Sequence, residues 1–330
     1  MIHPSRVPAW MINVGIVLVI LALWPVSKVA DQNMDGYYLD ILIRIGIAIT
    51  LAVSLNLING ITGQFSLGHA GFMALGAYVT GSVLKHYDPH GFSLSIMFVG
   101  TLLAGGLLAA FAGILIGIPT LRLSGDYLAI ATLGFGEIIK VVINQIEHIG
   151  PFEIAGSAGL HSIPHVTNLF WSYSAAIICV VVVARLVYSA KGKPFFAVRE
   201  DEIAAAAMGV DTTFYKVAAF VIGAFFAGVA GGLSATFSGD IDPSAFGFVR
   251  SIEIVTMVVL GGSGSITGAI LAAGILTALP EFLRMMHADQ LRLVIYALLL
   301  IVMMLLRPEG LFGRRELWPT RRKLTPVPPK

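Results

Sequence analysis

Apolar residues in this chain gather in long runs separated by short polar stretches. A helix needs about 20 apolar residues to cross a bilayer, within a range of roughly 17 to 25. By that ruler the runs predict membrane spans at 10–27, 40–59, 64–84, 93–118, 127–146, 171–190, 214–237, 246–262, 266–283 and 291–306. The run 93–118 contains no charged residue, whereas 246–262 carries Arg250 and Glu253 near its start. The run 64–84 is broken by Gly68, Gly71 and Gly76 and includes His69. An interrupted or re-entrant helix is tolerated at membrane depth only when it is buried in protein or lines a cavity. The pattern therefore predicts an all-α polytopic membrane protein with ten transmembrane helices. Eight spans plus two re-entrant segments is the alternative.

The longest polar stretch between spans is Lys191 to Lys216, KGKPFFAVREDEIAAAAMGVDTTFYK. Lys191, Lys193, Arg199, Glu200, Asp201 and Glu202 precede a helix-forming block from Ala204 to Met208. Gly209 then predicts a helix stop, and Asp211-Thr212-Thr213 a cap for the next helix. A polar helix–turn–helix between two membrane spans reads as a docking element for an aqueous partner; a solvated connector is the plainer reading.

Composition agrees with the membrane class. Hydrophobic residues make up 57% of the 330 and charged residues 12%, about half the usual charged share of a soluble domain. Many of the 36 glycines fall inside apolar runs, where small residues let helix backbones approach closely. The spacings Gly113/Gly117, Gly228/Gly232 and Gly264/Gly268 read as packing faces of this kind. Cys179 is the only cysteine, which excludes an intrachain disulfide.

Basic residues set the orientation. The segment after the last span holds Arg307, Arg314, Arg315, Arg321, Arg322, Lys323 and Lys330, which predicts a cytoplasmic tail. The island at 191–216 is predicted cytoplasmic on the same ground. The loops at 28–39, 85–92, 147–170, 238–245 and 284–290 then lie outside, and they carry only Lys28, Lys85 and Arg284. Three segments result: a cytoplasmic N-terminus at 1–9, a membrane domain at 10–306 and a basic cytoplasmic tail at 307–330. No cleavable signal is evident at the start.

Two motifs hold candidate chemistry inside the membrane. Between Asn59 and Phe72, Gln64, Ser66 and His69 sit among glycines and form a candidate translocation path if the helix is unwound there. A tightly packed helix–turn–helix with His69 bonded internally is the structural alternative. Glu137 falls near the middle of its span and is a functional candidate because a carboxylate there is costly. Lys140, three residues on, gives the alternative of a structural ion pair. No phosphate-binding loop, metal-ligand spacing or nucleophile motif is present, so no catalytic residue, metal or cofactor is expected.

Six stretches together resemble the LivM-type permeases, the membrane subunits of bacterial ABC importers for branched-chain amino acids. They are GITGQFSLGHAGFMALGAY (60–78), RLSGDYLAIATLGFGEI (122–138), REDEIAAAAMGV (199–210), MVVLGGSGSITG (257–268), LPEFLR (279–284) and RPEGLFG (307–313). The resemblance runs from about residue 40 to 313 in the family's order. It implies the ABC importer permease fold in the bacterial inner membrane. It also implies a second, LivH-type permease, two cytoplasmic ATPases that hydrolyse ATP, and a periplasmic binding protein that delivers substrate. Residues 199–210 resemble the coupling loop that docks in a cleft of the ATPase, a role carried onto Glu200, Asp201, Glu202, Ala205, Ala206 and Gly209. The alternatives are the same importer class with urea, amide or other neutral or aromatic acid cargo, or a secondary transporter working without ATPases, for which Glu137 is the one strong candidate.

The orientation is testable. With Cys179 replaced, single cysteines at His90 or His161 are expected to react with an impermeant thiol reagent added outside intact cells. Cysteines at Ser124 or Thr212 are expected to stay unlabelled, and the reverse pattern would invert the topology.

Overall fold

The computed structural model describes residues 9–87, 92–121, 123, 125–285, 298, 301–302, 310–311 and 313. Its elements are almost all helices. Six come first: α1 (Ala9–Asn33), α2 (Gly36–Asn56), α3 (His69–Tyr87), α4 (Phe92–Thr120), α5 (Asp126–Gln145) and α6 (Leu169–Tyr188). The polar island forms two short helices, α7 (Lys193–Glu200) and α8 (Glu202–Ala207). The chain continues through α9 (Thr212–Ser238), α10 (Phe248–Gly261) and α11 (Ile266–Met285). A small hairpin, β1 (His148–Ile149) with β2 (Phe152–Glu153), sits between α5 and α6.

Seven helical stretches among the described residues are long and apolar enough to cross a membrane; they contain α1, α2, α4, α6, α9, α10 and α11. The chain is thus a polytopic helical membrane protein. Helices α3 and α5 occupy the predicted spans 64–84 and 127–146 but are less apolar, α5 because it carries Glu137 and Lys140. The predicted tenth span at 291–306, the N-terminus and the basic tail fall almost wholly outside the described residues.

Two of the predicted spans differ in form. The span predicted at 64–84 begins only at His69, because α2 widens into a π-helical turn at Leu57–Ile61 and the chain then runs non-helical to Gly68. Helix α10 has 14 residues, about 21 Å at 1.5 Å per residue, well short of a bilayer core of about 30 Å. It follows a 3-10 turn at Pro243–Phe246 and starts beside the middle of α5, where the Phe248 N–H meets Glu137.

Contacts sort the connections into two ends. At one, Arg199 reaches Gly60 and Ser263, and Leu311 donates to the Leu260 carbonyl at 2.9 Å. At the other, Tyr37 meets Glu281, Lys85 pairs with Glu153 at 2.8 Å, and Leu160 bridges Ile241. This is the alternation predicted from the spans.

At the centre, α9 packs along both α3 and α4, while α2 packs against α6, α9 and α11. From Gly46 to Asn56 helix α2 is buried on every side: Ile47, Leu51 and Leu55 enter one apolar cluster, and Ala48, Ala52 and Val53 enter the other. In contrast, α4 turns Leu107, Phe111 and Leu115 outward at four-residue spacing, a lipid-facing stripe. Lipid tails are as apolar as leucine, so the bundle is held by close packing rather than by expulsion of water. The tightest approach is where α9 crosses α3 and α4. A methyl group added to Gly231 would overlap the Met73 carbonyl of α3, and one on Gly228 would come within 2.7 Å of the Ala109 methyl of α4.

Overpacking a filled core commonly costs about 1–3 kcal/mol, and here the obstacle is backbone rather than a movable side chain. Gly231→Leu is expected to lower the melting temperature of the detergent-purified chain markedly. Gly100→Leu, on α4 where nothing lies within 4 Å, is expected to leave it unchanged.

Candidate functional site

The polar island is a folded element with an anchored side and a bare side. Pro194 starts α7, where its fixed φ and missing N–H are harmless. Phe195 is buried edge-on against Tyr215 of α9, with ring centroids 5.1 Å apart. Asp201 ends α7 and caps α8, its carboxylate accepting from the N–H groups of Ile203 and Ala204 at 2.9 and 3.0 Å. Glu202 pairs with the nearly buried Lys216, tying α8 to the first turn of α9. Gly209 turns the chain at φ +84°, where a side chain would be strained, and Asp211 then caps α9.

Of the six residues the resemblance assigns to docking, Asp201 and Glu202 are occupied by these internal bonds and Ala205 is buried. Ala206 and Gly209 are exposed. The bare side is instead dominated by Ile203 and Met208, which are 83% and 85% exposed. The sequence signal for them was present: they are the two large apolar residues of a segment otherwise made of charges and alanines.

Arg199, on the root side of α7, joins the island to the membrane domain. Its guanidinium donates to the Gly60 carbonyl at 2.5 Å and to the Ser263 carbonyl at 3.4 Å. These carbonyls belong to the two places where transmembrane helices are interrupted, 57–68 and 262–265. Two asparagines complete the joint. Asn56 of α2 donates to the Ser265 carbonyl at 3.0 Å and accepts from the Gly264 N–H at 2.9 Å. Asn59 exchanges the same pair of bonds with the backbone of Ser66 at 3.2 and 3.1 Å. Neither Asn56 nor Arg199 was predictable as a joint, because their partners lie 64 to 209 residues away.

Gln64, Ser66 and His69 all lie in or beside the first interruption. All three are buried, and Oε1 and Nε2 of Gln64, Oγ of Ser66 and Nδ1 of His69 have no hydrogen-bond partner among the described residues. His69 uses its other nitrogen on Ser54 of α2, 2.9 Å away. Gly68 and Gly71 press against Thr132 and Gly136 of α5, and the Leu67 N–H donates to the Thr132 hydroxyl at 3.1 Å. Glu137 follows directly in α5 but its carboxylate goes elsewhere. It pairs with Lys140 and accepts from the Phe248 N–H at 2.9 Å, which places a negative charge at the start of α10.

At the opposite end, the α5–α6 connection is clasped to the α9–α10 connection. Leu160 and Ile241 exchange backbone bonds of 2.9 Å, and Ile163 donates to the Gly239 carbonyl at 2.8 Å. Asp240 accepts from the Ser162 N–H at 3.2 Å and meets His161 at 3.1 Å. These bonds, the backbone one first, hold the Asp240 carboxyl below its ordinary value of 3.8.

A bundle of membrane-length helices, with an anchored polar element packed on its helix connections at one end, fits a permease class of architecture. The chain belongs to the family described as "Branched-chain amino acid transport system / permease component", which matches residues 37–304. It is 36% identical over 329 residues to the high-affinity branched-chain amino acid transport system permease protein LivM of Escherichia coli (strain K12), covering 89% of this chain and 73% of that one. LivM of Salmonella typhimurium matches to the same extent. The corresponding LivH protein of E. coli is 27% identical over 284 residues, 81% of this chain and 91% of its own. No solved structure matches the chain.

Because the Asp240 pKa is lowered, its contribution to the clasp is complete above about 3.8 and is lost as pH falls through the lowered value. Asp240→Asn is therefore expected to melt below the wild type at pH 5 to 7. The difference should close as the pH drops below about 3.8, and a difference that persists undiminished there would remove the carboxylate from the clasp.

Proposed function

We propose that the chain is a permease subunit of an ATP-driven importer that moves leucine, isoleucine and valine across the bacterial inner membrane. Its partners in this reading are a LivH-type permease, two cytoplasmic ATPases and a periplasmic binding protein. The names of the LivM and LivH relatives support the cargo and the permease pair. Ten crossings with both termini in the cytoplasm fit the chain's course: α11 runs away from the island end, and Leu311 is back at that end beside Leu260.

The observation that carries the mechanism is the two-sided island. Ile203 and Met208 offer a small apolar tip to an aqueous partner, with Glu200, Ala206 and Gly209 around it. Arg199 transmits the load to both helix interruptions at once. ATP-driven closure of the ATPases would push the tip, and the push would reach the segments around Gln64, Ser66 and His69 through the Gly60 and Ser263 carbonyls. Unpartnered polar atoms in that segment suit a path that exchanges bonds as it opens. The engagement of Glu137 with Lys140 and the α10 N-terminus leaves little for an ion-coupled alternative.

Two variants test this in the complete set of co-purified subunits reconstituted in liposomes. Ile203→Asp/Met208→Asp is expected to release the ATPases and reduce leucine uptake at least about tenfold, since buried interface anchors are commonly worth 2 kcal/mol or more. Arg199→Ala is expected to keep the ATPases bound but to uncouple hydrolysis from uptake. Uptake at wild-type rates by both would sink the docking role, and recovery of the chain with no ATPase would sink the importer.

A further inference from the structure

Beside the clasp the bundle is hollow. A cavity of about 410 Å³ opens among the 238–246 connection, α2, α9 and α10. A second, of about 210 Å³, continues between α2, α10 and α11. Both are lined by Arg44, Ser234, Arg250 and Glu253, so they form one crevice that leads inward from the end opposite the island. The larger part is within the roughly 300–1,000 Å³ of small-molecule sites, and the inner part, about 210 Å³, is below it.

The charges of the inner part do not cancel. Three arginines, Arg44, Arg250 and Arg284, face two carboxylates, Glu253 and Glu281. Glu253 bonds Arg250 at 2.9 Å and Glu281 bonds Arg284 at 3.2 Å, each three residues apart on one helix. Arg44 has no carboxylate partner among the described residues; its guanidinium lies over the ring of Phe237 at 5.0 Å. It stands nine residues into α2, a membrane span, where an unanswered charge marks a functional site by default. The rim aspartates do not answer it, since Asp240 serves Ser162 and His161, and Asp242 caps the turn at Ser244. A second, independent feature lies in the same inner part. Thr277 of α11 lines the cavity, and its hydroxyl is buried without a hydrogen-bond partner among the described residues.

A guanidinium without a carboxylate partner and a hydroxyl without a hydrogen-bond partner among the described residues, both on residues that line one cavity, supply the kinds of donor a carboxylate accepts from. We propose that this crevice is a binding site for the α-carboxylate of a free amino acid, held by Arg44 and Thr277 after entry and before passage through the bundle. The proposal rests on the amino-acid permease reading and adds to it where, and by which group, this chain recognises its cargo.

The test is equilibrium binding of radiolabelled leucine to the co-purified assembly in nanodiscs, without binding protein. Leucine is raised to about 10 mM, so that even millimolar sites register. Leucine is expected to bind and leucinamide, which lacks the carboxylate, to fail to compete. Arg44→Met should weaken binding at least about tenfold, as loss of a charged hydrogen bond does, and Arg44→Lys should restore part of it. Thr277→Val, which removes one atom's bonding without changing charge, should weaken binding severalfold at an unchanged melting temperature. It keeps the test decisive should Arg44→Met not fold. Absence of leucine binding to the wild type, equal competition by leucinamide, or unaltered binding in the folded variants would each overturn the site. Uptake separates the two readings. If wild-type liposomes with binding protein and ATP import none of leucine, isoleucine and valine, the permease reading fails. If they import leucine but nanodisc binding ignores Arg44 and Thr277, only the crevice site fails.

Discussion

Every backbone N–H and carbonyl at membrane depth must find a partner within the protein, because lipid offers none and each orphan costs several kcal/mol. A continuous helix meets this demand by itself. Two connections at the island end, after α2 and between α10 and α11, leave such groups open, and side chains from elsewhere in the bundle answer them. Asn56 and Asn59 present amide side chains that bond backbone as another strand would. Arg199 takes the Gly60 and Ser263 carbonyls that remain. The two connections therefore share partners, and a displacement of one is felt at the other.

That joint also explains why the polar island sits where it does. A coupling element on a flexible loop would absorb a push instead of passing it on. Here α7 is fixed by Phe195 against Tyr215, and α8 by the Glu202–Lys216 pair. The backbone groups to which Arg199 is anchored belong to the π-helical turn at Leu57–Ile61 and to the connection between α10 and α11. One side chain thus ties the island to both connections. The close glycine contacts of α9 with α3 and α4 supply the opposite property, a core in which helices cannot slide without backbone clash.

Much of this was legible in the residues. The run lengths placed nine of the ten predicted spans on helices among the described residues, of which seven stretches are long and apolar enough to cross a membrane. Gly209 and Asp211 marked the end of one helix and the start of the next because each carries out a local backbone task, a left-handed turn and an N-cap. The Glu137–Lys140 pair was readable for the same reason: three residues along a helix fixes the distance between two side chains. The glycine spacings likewise announced close helix contacts, though not which helices would meet.

What the sequence by itself determined, then, is whatever depends on neighbours along the chain: the membrane class, the span boundaries, the caps and turns, and the island's helical character. The tertiary structure alone decided whatever depends on which helices come together. It buried Ala205 and bared Ile203 and Met208, although all three belong to one short helix and its cap. It brought Arg199 to carbonyls 139 and 64 residues away and left Arg44 facing a cavity while the other arginines there found glutamates. Local periodicity carries no record of such pairings, because a helix's own geometry is satisfied equally well whichever neighbour it meets.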